Sequence, residues 1–112
     1  MPDALDYSRK FSSEVIDNVA EDDIFTLTTG VLQNLVICIC NQTASPVTLT
    51  GWVIPSGGSS GSDNRFMYNY SIAANDSVLI PVPRMITGDK LTLQAGTGSA
   101  LTVFDASGVT RV

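Results

Sequence analysis

The chain of 112 residues contains no histidine. That removes the side chain that most often serves as a general base near neutral pH and most often ligates metals. Its two cysteines, Cys38 and Cys40, are too few for a disulfide framework or a four-thiolate zinc site. Charged residues make up only 15% of the chain against 44% hydrophobic, a balance that folds rather than staying disordered. The apolar runs are a few residues long, so no membrane-spanning helix is expected. The first residues do not run from basic to apolar to small, so no secretory leader is expected either. There is no Gly-x-Ser-x-Gly elbow, phosphate loop or dinucleotide fingerprint. The glycine-rich stretch Gly57-Gly58-Ser59-Ser60-Gly61 leads into a strand pattern and lacks the helix N-terminus that holds phosphate. The expectation is a non-enzyme with no catalytic, cofactor-binding or metal-ligating residues.

What charge there is lies unevenly. Residues 1–23 hold seven acids and two bases, whereas residues 24–112 hold four of each. The chain therefore divides into an acidic N-terminal arm, 1–23, and a neutral body, 24–112. An acidic chain is repelled by phosphate backbones and anionic lipid, so neither nucleic acid nor a membrane is an expected partner. A neutral body rich in Thr and Ser suits packing against protein, because few charges need desolvating.

Within the arm, Tyr7, Phe11, Val15 and Val19 recur every four residues, which fits one face of a short helix. An extended arm that orders against a neighbour is the other reading. Under either, these four are the candidate partner-binding residues.

From Ile24 the period becomes two. Short strands are expected at Ile24–Thr28, Val31–Cys40, Val47–Ile54, Arg65–Ile72, Val78–Val82 and Lys90–Ala95, then from Leu101 to the end with a bend at Ser107-Gly108. VLQNLVICIC is apolar at consecutive positions in its second half, so both of its faces should be buried. PSGGSSGSDN, residues 55–64, reads as a flexible loop, and Pro81 and Pro83 mark an edge strand or its end. Seven or eight short strands separated by turns imply an all-β fold: an antiparallel β-sandwich, immunoglobulin-like or jelly-roll in type, with an N-terminal arm.

Three constellations compete with bland explanations. Cys38 and Cys40 share a strand face, either as a redox pair or half a metal site, or as two small buried hydrophobes; their parallel side chains favour the latter. Phe66, Tyr68, Tyr70 and Trp52 could stack sugar rings, but alternation of the first three with Arg65, Asn69 and Ser71 favours a core face. Asp63, Asn64, Asp76 and Asp89 offer loop oxygens to calcium, but their spacing fits turn-forming Asx residues better.

The order of segments also carries a resemblance. Ile37–Thr43 (ICICNQT), Ile72–Ile80 (IAANDSVLI), Ile86–Ala95 (ITGDKLTLQA) and Ser107–Val112 (SGVTRV) resemble, in order, the "IIVCNT", "IPANDSLVL", "LEAGDKLRVQAS" and "SGVEV" patterns of small virion structural proteins of tailed bacteriophages. Together they cover most of residues 29–112. The chain departs from that pattern at Thr29-Gly30, where proline-alanine-glycine is common, and in the inserted loop 55–64. Residues 1–23 have no counterpart. The resemblance implies a non-enzymatic component of the virion, assembled in the host bacterial cytoplasm. The first expectation is a capsid decoration (cement) protein that binds the major capsid protein as a symmetric homo-oligomer, a trimer favoured. The alternatives are a tail, adaptor or fibre component and, outside the virion, a carbohydrate-binding module.

Overall fold

The computed structural model describes residues 5–16 and 21–111. Nine strands form: β1 (Leu5–Ile16), β2 (Asp22–Thr26), β3 (Val31–Asn41), β4 (Val47–Ile54), β5 (Arg65–Ile72), β6 (Ser77–Val82), β7 (Met85–Ile86), β8 (Lys90–Ala95) and β9 (Leu101–Arg111). They make two antiparallel sheets that pack against each other. Sheet A runs β1-β9-β3-β6, with β7 also on β3, and sheet B runs β2-β8-β4-β5.

Four pairings are nested: β4 with β5, β3 with β6, β2 with β8 and β1 with β9. Each successive pair encloses the one before it in the sequence. Setting β7 aside, the chain is thus a single long antiparallel ribbon. Its successive pairs fall alternately in sheet B and sheet A.

The core lies between the sheets and follows the two-residue period. Leu35, Ile37 and Ile39 of β3 point inward, as do Ile80 and Val82 of β6 and Leu101, Val103 and Ala106 of β9. Facing them are Val47 and Leu49 of β4, Ile72 of β5, and Leu91, Leu93 and Ala95 of β8. Burial on this scale, at about 25 cal/mol per Å² of apolar surface, is the main force holding the sheets together.

Asparagine 41 locks one end of the fold. Its buried side-chain amide donates to the carbonyls of Ser45 at 2.9 Å and Ile72 at 3.0 Å, and its Oδ1 accepts the Thr43 N–H at 3.0 Å and hydroxyl at 2.7 Å. One side chain thereby ties the β3–β4 turn to the end of β5.

Several expectations need correction. Of the two conformations left open for the arm, the described part, Leu5–Ile16, takes the extended one, paired with β9 from Leu5↔Arg111 to Ile16↔Leu101. It is no helix. The position expected to separate arm from body, 23/24, falls inside β2. The bend expected at Ser107-Gly108 is absent, and β9 continues to Arg111. Glycine serves close approach there instead: a Cβ on Gly108 would lie 3.1 Å from Leu35 Cα and 3.2 Å from the Gln33 carbonyl oxygen. Loop 55–64 forms no strand but is internally braced. The Asn64 Oδ1 accepts the Gly61 N–H at 3.0 Å and its amide donates to the Ser59 carbonyl at 3.0 Å. Pro81 and Pro83 behave as expected, because β6 ends the strand path of sheet A and stops at Val82.

Candidate interaction surface

Because β3 alternates, its inward residues dictate what it shows outside. With Leu35, Ile37 and Ile39 in the core, Val36, Cys38 and Cys40 form the outward row. Both faces of β3 were expected to be buried, but Val36 is exposed and the two cysteines are only half-buried. The reason is topological: among the described residues, no segment crosses the outer face of sheet A.

The register extends this row sideways. Cys38 pairs with Leu79 of β6, Val36 with Pro81, and Cys40 with Ser77 on one side and Thr102 of β9 on the other. Thr102 in turn pairs with Val15 of β1, and Val31 pairs with Ile86 of β7. On β9 the register slips between Cys38 and Ile39, and the extra residue is Phe104, which stands outside. Leu79 is 72% exposed and Phe104 61%, and Val15, Ile86 and Val36 are exposed too. Among the described residues, five of the seven exposed large hydrophobics therefore lie on one sheet face. None of the described side chains of this face carries a charge; Asp105 and Arg111 hold backbone register positions opposite Cys38 and Val31. Apolar side chains gathered on one exposed face are unusual in a lone domain, and such faces meet other protein, lipid or ligand.

The outer face of sheet B differs. Its β4 row is Thr48, Thr50, Trp52 and Ile54, and apart from Thr48 these are buried, with Trp52 only 7% exposed. Thr92 of β8 pairs with Trp52, and its hydroxyl donates to Asp23 Oδ1 at 3.0 Å while Lys90 Nζ lies 3.2 Å from Asp23 Oδ2. Thr48, Thr50, Asn69, Gln94 and Gly96 line a shallow cleft of about 300 Å³.

The four candidate residues of the arm fare unequally. Tyr7 and Phe11 lie in β1, at register positions opposite Val109 and Ala106. Val15 joins the exposed apolar face, and Val19 lies outside the described residues.

The aromatic row is split by bulges. Two register shifts in the β4–β5 pairing break the alternation, and Asn69, within the one between Leu49 and Gly51, adopts φ 48. Asparagine tolerates that left-handed geometry better than most residues. Thr50 holds the bulge, its Oγ1 accepting the Asn69 N–H at 3.1 Å. Phe66 folds inward over Gly51, where a Cβ would come within 2.8 Å of its ring. Tyr68 and Tyr70 are exposed, contrary to a single core-facing row, and the Arg65 guanidinium lies 4.0 Å over the Tyr68 ring.

The loop carboxylates do not converge. Asp76 Oδ1 accepts the Ser77 N–H and Asp89 Oδ2 the Ile86 N–H, each a local turn contact. Among the described residues no group of three or more Cys, Asp or Glu side chains comes together as a metal site would require.

Sequence reasoning found the apolar outward residues of β3 but missed Leu79, Phe104 and Ile86. Leu79 was legible, since it stands between Val78 and Ile80, which share the inward face, and Pro81 and Pro83 mark its strand as an edge. Phe104 depends on a bulge that leaves no mark in the sequence. Comparison with family models, curated proteins and solved structures gave no match.

Proposed function

We propose that this chain is a non-catalytic structural protein of a virion, a jelly-roll domain whose role is to bury one sheet face against other protein. The observation that carries this reading is the open, apolar outer face of sheet A, centred on Val36, Cys38, Leu79 and Phe104. A face of that kind has no use in a solitary soluble domain and stabilises an assembly when covered.

Two further points support the reading. The nested ribbon, with pairs alternating between two sheets, supports reading the domain as a jelly roll in preference to an immunoglobulin-like sandwich. That architecture recurs in viral capsid and lectin domains, although a fold alone fixes no function. The segments resembling tailed-phage virion proteins fall on structural elements: ICICNQT on β3 and the Asn41 turn, IAANDSVLI on the β5–β6 connection, and ITGDKLTLQA on the turn into β8. On that resemblance the chain is a capsid decoration protein bound to the major capsid protein as a homo-oligomer.

The test is the composition of the particle. Virions of the phage that encodes the chain, purified on a density gradient, should contain it in copy number comparable to the major capsid protein. A handful of copies would place it in the tail or a fibre instead. Absence from the particle would contradict the reading.

One observation favours a second reading, a carbohydrate-binding module: β5 exposes Tyr68 and Tyr70, and its Asn69 lines a cleft with Thr48, Thr50 and Gln94. Uncharged hydrogen-bonding groups beside aromatic rings suit a sugar. Arg65 already covers one face of Tyr68, which leaves less ring for stacking. Specific retention on a glycan array, lost in Tyr70→Ala, would favour this reading over the first.

A further inference from the structure

We infer that the outer face of sheet A is covered by a second copy of this chain, packed face to face about a two-fold axis. This rests on the reading of the chain as an assembly protein and names what occupies its open face.

The edges of sheet A are defended, and the face is not. A strand edge recruits another strand unless proline, charge or a bulge prevents it. The β6 edge carries Pro81 in the strand and Pro83 just past its end. The β1 edge carries Asp6, Arg9, Lys10 and Glu14 in its sequence and a register shift between Arg9 and Phe11. Continuation of the sheet from chain to chain is therefore disfavoured on both sides. The apolar surface lies between these edges, so association has to use the face.

The face also has the right size. The five strands of sheet A, of 12, 11, 11, 6 and 2 residues, at about 3.3 Å per residue and about 4.8 Å apart, present roughly 650 Å² before side-chain relief is added. A stable pair of proteins buries about 800 Å² on each partner. Stacked sheets meet about 10 Å apart with interdigitated side chains, which is the packing already used inside this domain.

Its relief is suited to a copy of itself. Leu79 on β6 and Phe104 on β9 project on either side of β3, with the smaller Cys38 and Cys40 in the row between them. Ser77, Thr102 and Ser107 keep the neighbouring positions low. In a two-fold arrangement each projecting pair meets the other copy's low row. The same patch then serves both partners, as an isologous interface requires. A charged partner would find no complementary charge among the described side chains of the face.

Sedimentation equilibrium of the full chain at micromolar concentration tests the inference. The expected result is a dimer. Leu79→Asp and Phe104→Asp should each weaken association at least about tenfold, since each places a charge within the apolar contact. Both positions are exposed, so the circular dichroism spectrum should not change. Tyr68→Asp, on the other sheet, should leave the dimer intact. A second readout needs no substitution: maleimide labelling of Cys38 and Cys40 should slow as the protein concentration rises through the dissociation constant. A monomer throughout, a trimer whose thiols label at the monomer rate, or a dimer indifferent to both Asp substitutions would overturn the inference. A monomer that is nevertheless abundant in virions would overturn the second copy while leaving the assembly reading intact. A dimer missing from virions would do the reverse.

Discussion

On sheet A the outward row of β3 is Val36, Cys38 and Cys40, flanked by Leu79 and Phe104, and most of it is open to solvent. On sheet B the outward row of β4 is Thr48, Thr50, Trp52 and Ile54, mostly buried, and beside it Thr92, Asp23 and Lys90 are joined by a hydrogen bond and an ion pair. Both rows hold apolar side chains. In sheet B they are covered by the chain's own atoms, so they contribute to folding. In sheet A the cysteines are half-buried, and the exposed part of the row contributes little until another molecule covers it. Hydrophobicity at an outward position is therefore ambiguous, and only its cover separates a folding residue from a binding residue.

Substitutions can break or sharpen that contrast. The largest effect is expected at Trp52→Ala, which removes a buried ring from the outer face of sheet B and should cost about 3 kcal/mol in chemical denaturation. A loss as small as that of an exposed residue would show that this face is no better covered than the other. Next comes Asn41→Ala, which leaves the carbonyls of Ser45 and Ile72 without their donor. About 2 kcal/mol should be lost, with the β3–β4 turn becoming the first site of proteolysis. Thr92→Val keeps the shape but removes the bond to Asp23, and about 1 kcal/mol is the expected loss by thermal unfolding, read as a lower Tm. Leu79→Ala should change the stability of the isolated subunit by less than about 0.5 kcal/mol, because there is little burial to lose. If Leu79→Ala destabilised a dilute, monomeric sample as much as Trp52→Ala, the distinction between the two faces would fail.

The same contrast explains what could be read from the sequence. Strands β4, β5 and β8 match their expected bounds because turn-forming residues stand at both ends of each. The inward set of β3 follows from alternation alone. The arm stayed open between helix and strand because a spacing of four is close to one helical turn and is also an even number. Tyr7, Phe11 and Val15 therefore fit one face of a helix and one face of a strand equally well. The aromatic row of β5 was disrupted by Asn69, as β3 was shifted near Asn34, and both asparagines have positive φ. An asparagine inside a strand carries no visible sign that it will form a bulge. The apolar outward row of β3 was legible, but whether anything covers it depends on where β1, β6 and β9 lie, which is a property of the whole topology.

Hydroxyl-radical footprinting read by mass spectrometry tests the central claim most directly, because it reports side-chain exposure residue by residue. In the associated protein, Leu79 and Phe104 should be protected relative to a dilute sample, while Tyr68 and Tyr70 oxidise at unchanged rates. Protection confined to Tyr68 and Tyr70, with Leu79 and Phe104 as reactive as before, would contradict the account.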